Sequence, residues 1–160
     1  MKYFRIVLLW GFVLLWMFFI LGLSSHPAEI SNEESSYFVE ILARISSTLE
    51  DRLHIPMPDL DQIDFLVRKS AHMFNYFVLT LLLIFAFKVS FLMVDKSWLR
   101  SLTGAGVISL LFSMLDEFYQ TFIPGRAGRI TDVGVDLIGT LIGIGLMLFL
   151  FNDRLDTVES

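Results

Sequence analysis

Twenty consecutive residues, FRIVLLWGFVLLWMFFILGL at positions 4–23, carry a single charge, Arg5, near their start. An α-helix rises 1.5 Å per residue, so a run of about 20 crosses the ~30 Å hydrocarbon core of a bilayer. Three further runs qualify, at about 71–94, 102–119 and 133–151. The chain therefore reads as an all-α membrane protein, a bundle of four transmembrane helices forming one domain over residues 1–160. The first apolar stretch exceeds the 7–15 residues usual for the core of a secretory signal. Although the small residues Ser24 and Ser25 follow it, it is read as a retained anchor.

Composition agrees. At 55% hydrophobic and 18% charged, with a mean hydropathy of +0.68, the chain is too apolar for a soluble domain of its size. It has no cysteine, hence no disulfide or thiolate metal site. A net charge of −5 without any Gly-rich phosphate loop excludes nucleic acid as a partner.

Four spans place both termini on one side. Lys2 and Arg5 precede the first span, and Lys88, Lys96 and Arg100 lie in or beside the second connection. The positive-inside rule then puts both termini in the cytoplasm. The long first loop and the short third loop fall outside. The outer side also carries Arg44, Arg52, Arg68, Lys69, Arg126 and Arg129, but the last four crowd against a cluster of polar residues and are read as serving it.

Within the first loop, Tyr37, Phe38, Ile41, Leu42, Ile45, Leu49 and Leu53 recur at helical spacing. This predicts an amphipathic helix over about 32–53, capped at Ser31 or Asn32 with Glu33 and Glu34 in its first turn. It is expected on the outer membrane surface or over the bundle. Pro56 and Pro58 then break it.

The polar residues of the spans converge. In the second span Lys69, His72 and Tyr76 share a stripe at i, i+3, i+7, with Arg68 on its flank. The third span ends on Asp116, Glu117 and Gln120, with Ser113 a turn deeper. After IPGRAGR, Asp132 and Asp136 open the fourth span at i, i+4, and the same stripe continues as Gly139 and Gly143, a small-residue pair that permits close helix contact. By topology all three clusters lie at one depth, near the outer boundary. Arg68, Lys69, Arg126 and Arg129 nearly balance Asp116, Glu117, Asp132 and Asp136. Charges within a span are costly unless paired, so mutual pairing is expected.

In order along the chain, SSHPAEISNEESS, VRKSAHMFNYFVL and SMLDEFYQTFIPGRAGRITDVGVDLIGTLIG resemble the VanZ-like family of small bacterial membrane proteins, over about residues 20–146. The resemblance implies that Arg68, Lys69, His72, Tyr76, Asp116, Glu117, Gln120, Arg126, Asp132 and Asp136 occupy its characteristic polar positions. It also implies a place in the cell envelope, and the family takes its name from a protein of teicoplanin resistance. Asn75, where many relatives carry Glu, and Leu137, where relatives often carry an amide, depart from the pattern.

Taken singly, several of these groups have plain structural readings. Asp132 suits a helix N-terminus and, like Thr131, can be an N-cap; Arg126 and Arg129 can be snorkelling anchors; Pro124-Gly125 is a tight turn. The set as a whole exceeds what stability needs. His72, Asp116, Glu117 and Asp136 are the acid/base candidates. Arg68, Lys69, Tyr76, Gln120, Arg126 and Asp132 are the candidate substrate contacts, Arg offering a bidentate fork for phosphate or carboxylate. The expected partners are membrane lipids and a lipid-linked or cell-wall substrate. His72 with the carboxylates can ligate a divalent ion, but no HExxH-type spacing is present and cations stand nearby, so neither metal nor cofactor is expected. Two other classes compete with an enzyme: a non-catalytic module that captures a wall precursor or antibiotic, and a small transporter.

Overall fold

A computed structural model describes residues 2–91 and 98–151, with the backbone alone for residues 2, 28–35 and 53. Five helices follow in order: α1 (Lys2–Ser24), α2 (Ala28–Leu53), α3 (Leu60–Phe91), α4 (Trp98–Gln120) and α5 (Ile130–Phe151). Four of them, α1, α3, α4 and α5, are long and apolar enough to cross a membrane, so the all-α four-span architecture holds. Residues 92–94, Lys96 and the side chains of Ser31, Asn32, Glu33 and Glu34 lie outside the described residues.

The largest difference from expectation is the start of α3, at Leu60 rather than near 71. The apolar run begins late, but the helix is nucleated earlier by a capping box. Asp59 Oδ1 accepts the Gln62 backbone N–H at 2.9 Å, and Gln62 Oε1 accepts that of Asp59 at 3.2 Å. At 32 residues α3 is about 48 Å long, so its first turns project beyond a bilayer core. The loop helix likewise starts earlier, at Ala28 behind Pro27. It ends at His54, whose left-handed backbone (φ 54°) returns its N–H to the Glu50 carbonyl.

Helix α2 packs against α3, and the Ser46 hydroxyl donates to the Pro58 carbonyl. Val39 is buried, whereas Tyr37, Phe38, Ile41, Leu42, Ile45 and Leu49 keep their faces open to the surroundings.

Helices α3, α4 and α5 form the centre of the bundle, and α1 lies antiparallel along α3. The indole of Trp10 donates to Ser90 Oγ and that of Trp16 to the Asn75 carbonyl. Helix α5 approaches α3 closely because Gly139 rests on the Met73 carbonyl and Gly143 on Phe77 and Thr80. At this level Thr80, Ser109 and Thr140, one from each central helix, hydrogen-bond to one another at 2.8–3.3 Å. Farther from the polar end, Leu83, Ile84, Leu102, Ala105 and Met147 fill the interior.

Candidate functional site

The polar residues gather at one end of the bundle, where α1 and α4 finish, α5 begins, and α3 passes through with its Arg68–Tyr76 segment. The predicted stripe of Asp136, Gly139 and Gly143 faces inward, all three being buried. Asp116 and Asp136 are 0% exposed and Glu117 is 4%.

Each acid has its own partners. Asp136 Oδ2 accepts the Ser113 hydroxyl at 2.6 Å, and Oδ1 faces His72 Nδ1 at 3.5 Å without a hydrogen bond. Asp116 Oδ2 accepts the Ser24 hydroxyl of α1 at 3.0 Å and the Gln120 amide at 3.4 Å, leaving Oδ1 without a hydrogen bond. Glu117 Oε2 accepts the Arg129 backbone N–H at 2.9 Å, and Oε1 the Gln120 amide at 3.4 Å. One ligand-capable atom from each of His72, Glu117 and Asp136 lies within 4.8 Å of the other two.

The loop between α4 and α5 folds back over these acids. Ile123, Pro124, Gly125 and Arg126 form a turn closed by the Arg126 N–H on the Ile123 carbonyl at 3.1 Å. Gly125 adopts φ 76°, the positive value that a type II turn requires at its third residue. Gly128 then comes so close to the Glu117 carbonyl that a Cβ would collide with it.

The cations pair differently from the sequence expectation. Lys69 Nζ bonds Asp132 Oδ1 at 2.5 Å, whereas Arg68 pairs along its own helix with Asp64 at 2.6 Å. Arg126 reaches the end of α1: Nε donates to the His26 carbonyl at 2.9 Å and Nη2 to that of Leu23 at 3.3 Å, while Nη1 lies 3.5 Å from Gln120 Oε1. It thereby satisfies carbonyls that a helix terminus leaves open. Among the described residues no Arg or Lys forms an ion pair with Asp116, Glu117 or Asp136. Geometry explains this: Arg68 has a carboxylate one turn back, and Lys69 meets α5 before α4. Asp132 is not the N-cap of α5, since its own N–H bonds the Arg129 carbonyl; it takes the hydroxyl of Thr131 and the Lys69 ammonium instead.

A cavity of about 570 Å³ opens beside the acids. Its apolar lining includes Ile20 and Leu23 of α1, Phe38 of α2 and Phe65 of α3. Its polar lining includes Arg68, Lys69, His72, Tyr76, Gln120, Arg126, Arg129 and Asp132. Tyr76 is fully buried, its hydroxyl without a hydrogen bond. The cavity thus combines an amphiphile's two needs, apolar side chains and polar ones that include cations and an imidazole. Of the ten candidate residues, seven line it directly, and Asp116, Glu117 and Asp136 lie behind them.

Ser24 is the member that sequence reasoning missed. A serine after an apolar run looks like a span boundary, and only the fold brings it to Asp116. Ser113 was visible, one turn before Glu117 on α4, but its bond to Asp136 was not.

Comparison with known proteins adds one match. The family model described as VanZ/LLP1 covers residues 9–151, from the first span to the end of α5. Neither a curated protein nor a solved structure matches.

Proposed function

The chain belongs to the VanZ/LLP1 family and is a multi-pass membrane protein, and from this premise we propose that it acts on the bacterial cell envelope. In this reading the cavity binds the anionic group, phosphate or carboxylate, of a lipid headgroup or of a lipid-linked wall precursor, and His72 acts on it at the outer face of the cytoplasmic membrane, with both termini inside. The carrying observation is the mixed lining of the cavity, in which Ile20, Leu23, Phe38 and Phe65 stand with Arg68, Lys69, Arg126 and Arg129, and in which His72 faces Asp136. Arg and Lys recognise such anions by charge-assisted hydrogen bonds, and an imidazole can move a proton near neutral pH. A changed outer-leaflet anion would alter sensitivity to teicoplanin, which belongs to the same proposal.

The test compares envelope lipids and wall precursors in cells with no protein, wild type, and His72→Ala. A lipid or precursor species that appears with wild type and is lost in His72→Ala supports a reaction and identifies its source. Unchanged profiles, with a lipid nevertheless co-purifying with wild type and lost in Lys69→Ala, favour a binding module. Unchanged profiles with no retained lipid sink the reading.

A further inference from the structure

We infer that His72, Glu117 and Asp136 hold a divalent first-row metal cation, which goes beyond anion binding in the cavity and stands on different observations. One imidazole and two carboxylates, from three different elements of the fold, converge within 4.8 Å. Nitrogen and oxygen donors of this kind suit Zn²⁺ or Mn²⁺.

The Asp136 side chain points to a ligand independently. It is fully buried, yet Oδ1 takes no hydrogen bond. Its separation from His72 Nδ1 is 3.5 Å, longer than the ~2.7–2.9 Å of a charge-assisted hydrogen bond. Two donors that each bond one ion at about 2.0–2.2 Å lie about 3.0–3.5 Å apart, so the gap is the width of a shared ion.

Charge favours the same conclusion. Asp116, Glu117 and Asp136 are buried together, and among the described residues the one ion pair to any of them comes from His72. Of the cations that spoke against a metal in the sequence, Arg68, Lys69 and Arg126 are directed to Asp64, Asp132 and the carbonyls of α1. Buried carboxylates without compensation are strongly unfavourable, and a divalent ion offsets two of the three negative charges. Ser113, through its bond to Asp136 Oδ2, orients that ligand from behind. The ion would face the cavity at His72, where it could polarise an oxygen of a bound anion. His72 then meets Asp136 through the ion, not directly, and it serves the bound anion as the ion's ligand in place of carrying a proton itself.

The test uses the full chain in detergent, stripped with EDTA and titrated with Mn²⁺ alone, read from the electron paramagnetic resonance of the free ion. One site per chain is expected, displaced by Zn²⁺. His72→Ala should weaken it by about 100-fold or more, and Ser113→Ala by about 10-fold. Asp136→Asn should behave as His72→Ala; if it does not fold, Glu117→Gln takes its place. Failure of wild type to bind Mn²⁺ or Zn²⁺, or a site that His72→Ala leaves unchanged, overturns the inference. Binding to phosphatidylglycerol vesicles in EDTA is measured separately. Lipid binding without metal binding removes this inference alone, and the reverse removes only the anion reading.

Discussion

The Ser24 hydroxyl on α1 donates to Asp116 Oδ2 on α4 at 3.0 Å, across 92 positions of sequence. The first span is thereby a wall of the site as well as an anchor in lipid.

Ser24→Ala removes one of two donors to a buried carboxylate oxygen, and a bond to a charged group contributes about 1.5–3 kcal/mol. Thermal unfolding in detergent should show a loss of about that size. Asp116→Asn keeps an oxygen for Ser24 and discards the charge, so it should accumulate normally and melt no lower than wild type. A collapse of Asp116→Asn would mean that the charge itself holds the helices together.

Lys69 and Asp132 join α3 to α5 at 2.5 Å, with side chains only 22% and 17% exposed. Exposed pairs couple by about 0.2–1 kcal/mol, and this more sheltered one should exceed that range in a double-mutant cycle of Lys69→Met and Asp132→Asn. Exchange of the two charges, Lys69→Asp with Asp132→Lys, should recover part of the loss. A coupling near zero would make the contact incidental.

At Gly139 even a methyl would collide with the Met73 carbonyl, which is backbone and cannot swing aside. Gly139→Ala should destabilise by about 1–3 kcal/mol as α3 and α5 are forced apart. Gly134, on the same helix with open space around it, should accept alanine with a gain of up to about 1 kcal/mol. Equal behaviour of the two variants in an unfolding titration would contradict this close approach.

Orientation is open to labelling because the chain has no cysteine of its own. Gly128, in the third loop, is unsuitable since it abuts the Glu117 carbonyl. Ile130, 78% exposed at the polar end, and Leu99, 69% exposed at the other, are better placed. Ile130→Cys should react with an impermeant maleimide on intact cells, and Leu99→Cys only after permeabilisation. The opposite pattern would place the site in the cytoplasm.

Much of this was legible because apolar length and helical period are one-dimensional properties. The inward stripe from Asp132 to Gly143 follows from a period of 3.6, and its small residues announce a close neighbour. The Asp59–Gln62 capping box was equally local, but it precedes the apolar run and is hidden from a search for spans. Charge pairing was not legible. Arg68 could have met Asp64 or Asp116 at similar sequence plausibility, and only the rotation of α3 decides between them. The site of Ser24 likewise depends on where α1 docks.

The hydroxyls of Thr80, Ser109 and Thr140 satisfy one another, and beyond them the interior is Leu83, Ile84, Leu102, Ala105 and Met147. A proton or ion that reaches Asp136 meets this closed ring and then a mostly apolar interior in which Ser101 carries a buried hydroxyl, so its expected exit is the way it came. The expected behaviour is electrical silence. Sealed vesicles that carry it should hold a proton gradient as long as vesicles without it, whatever happens to the headgroups on their surface.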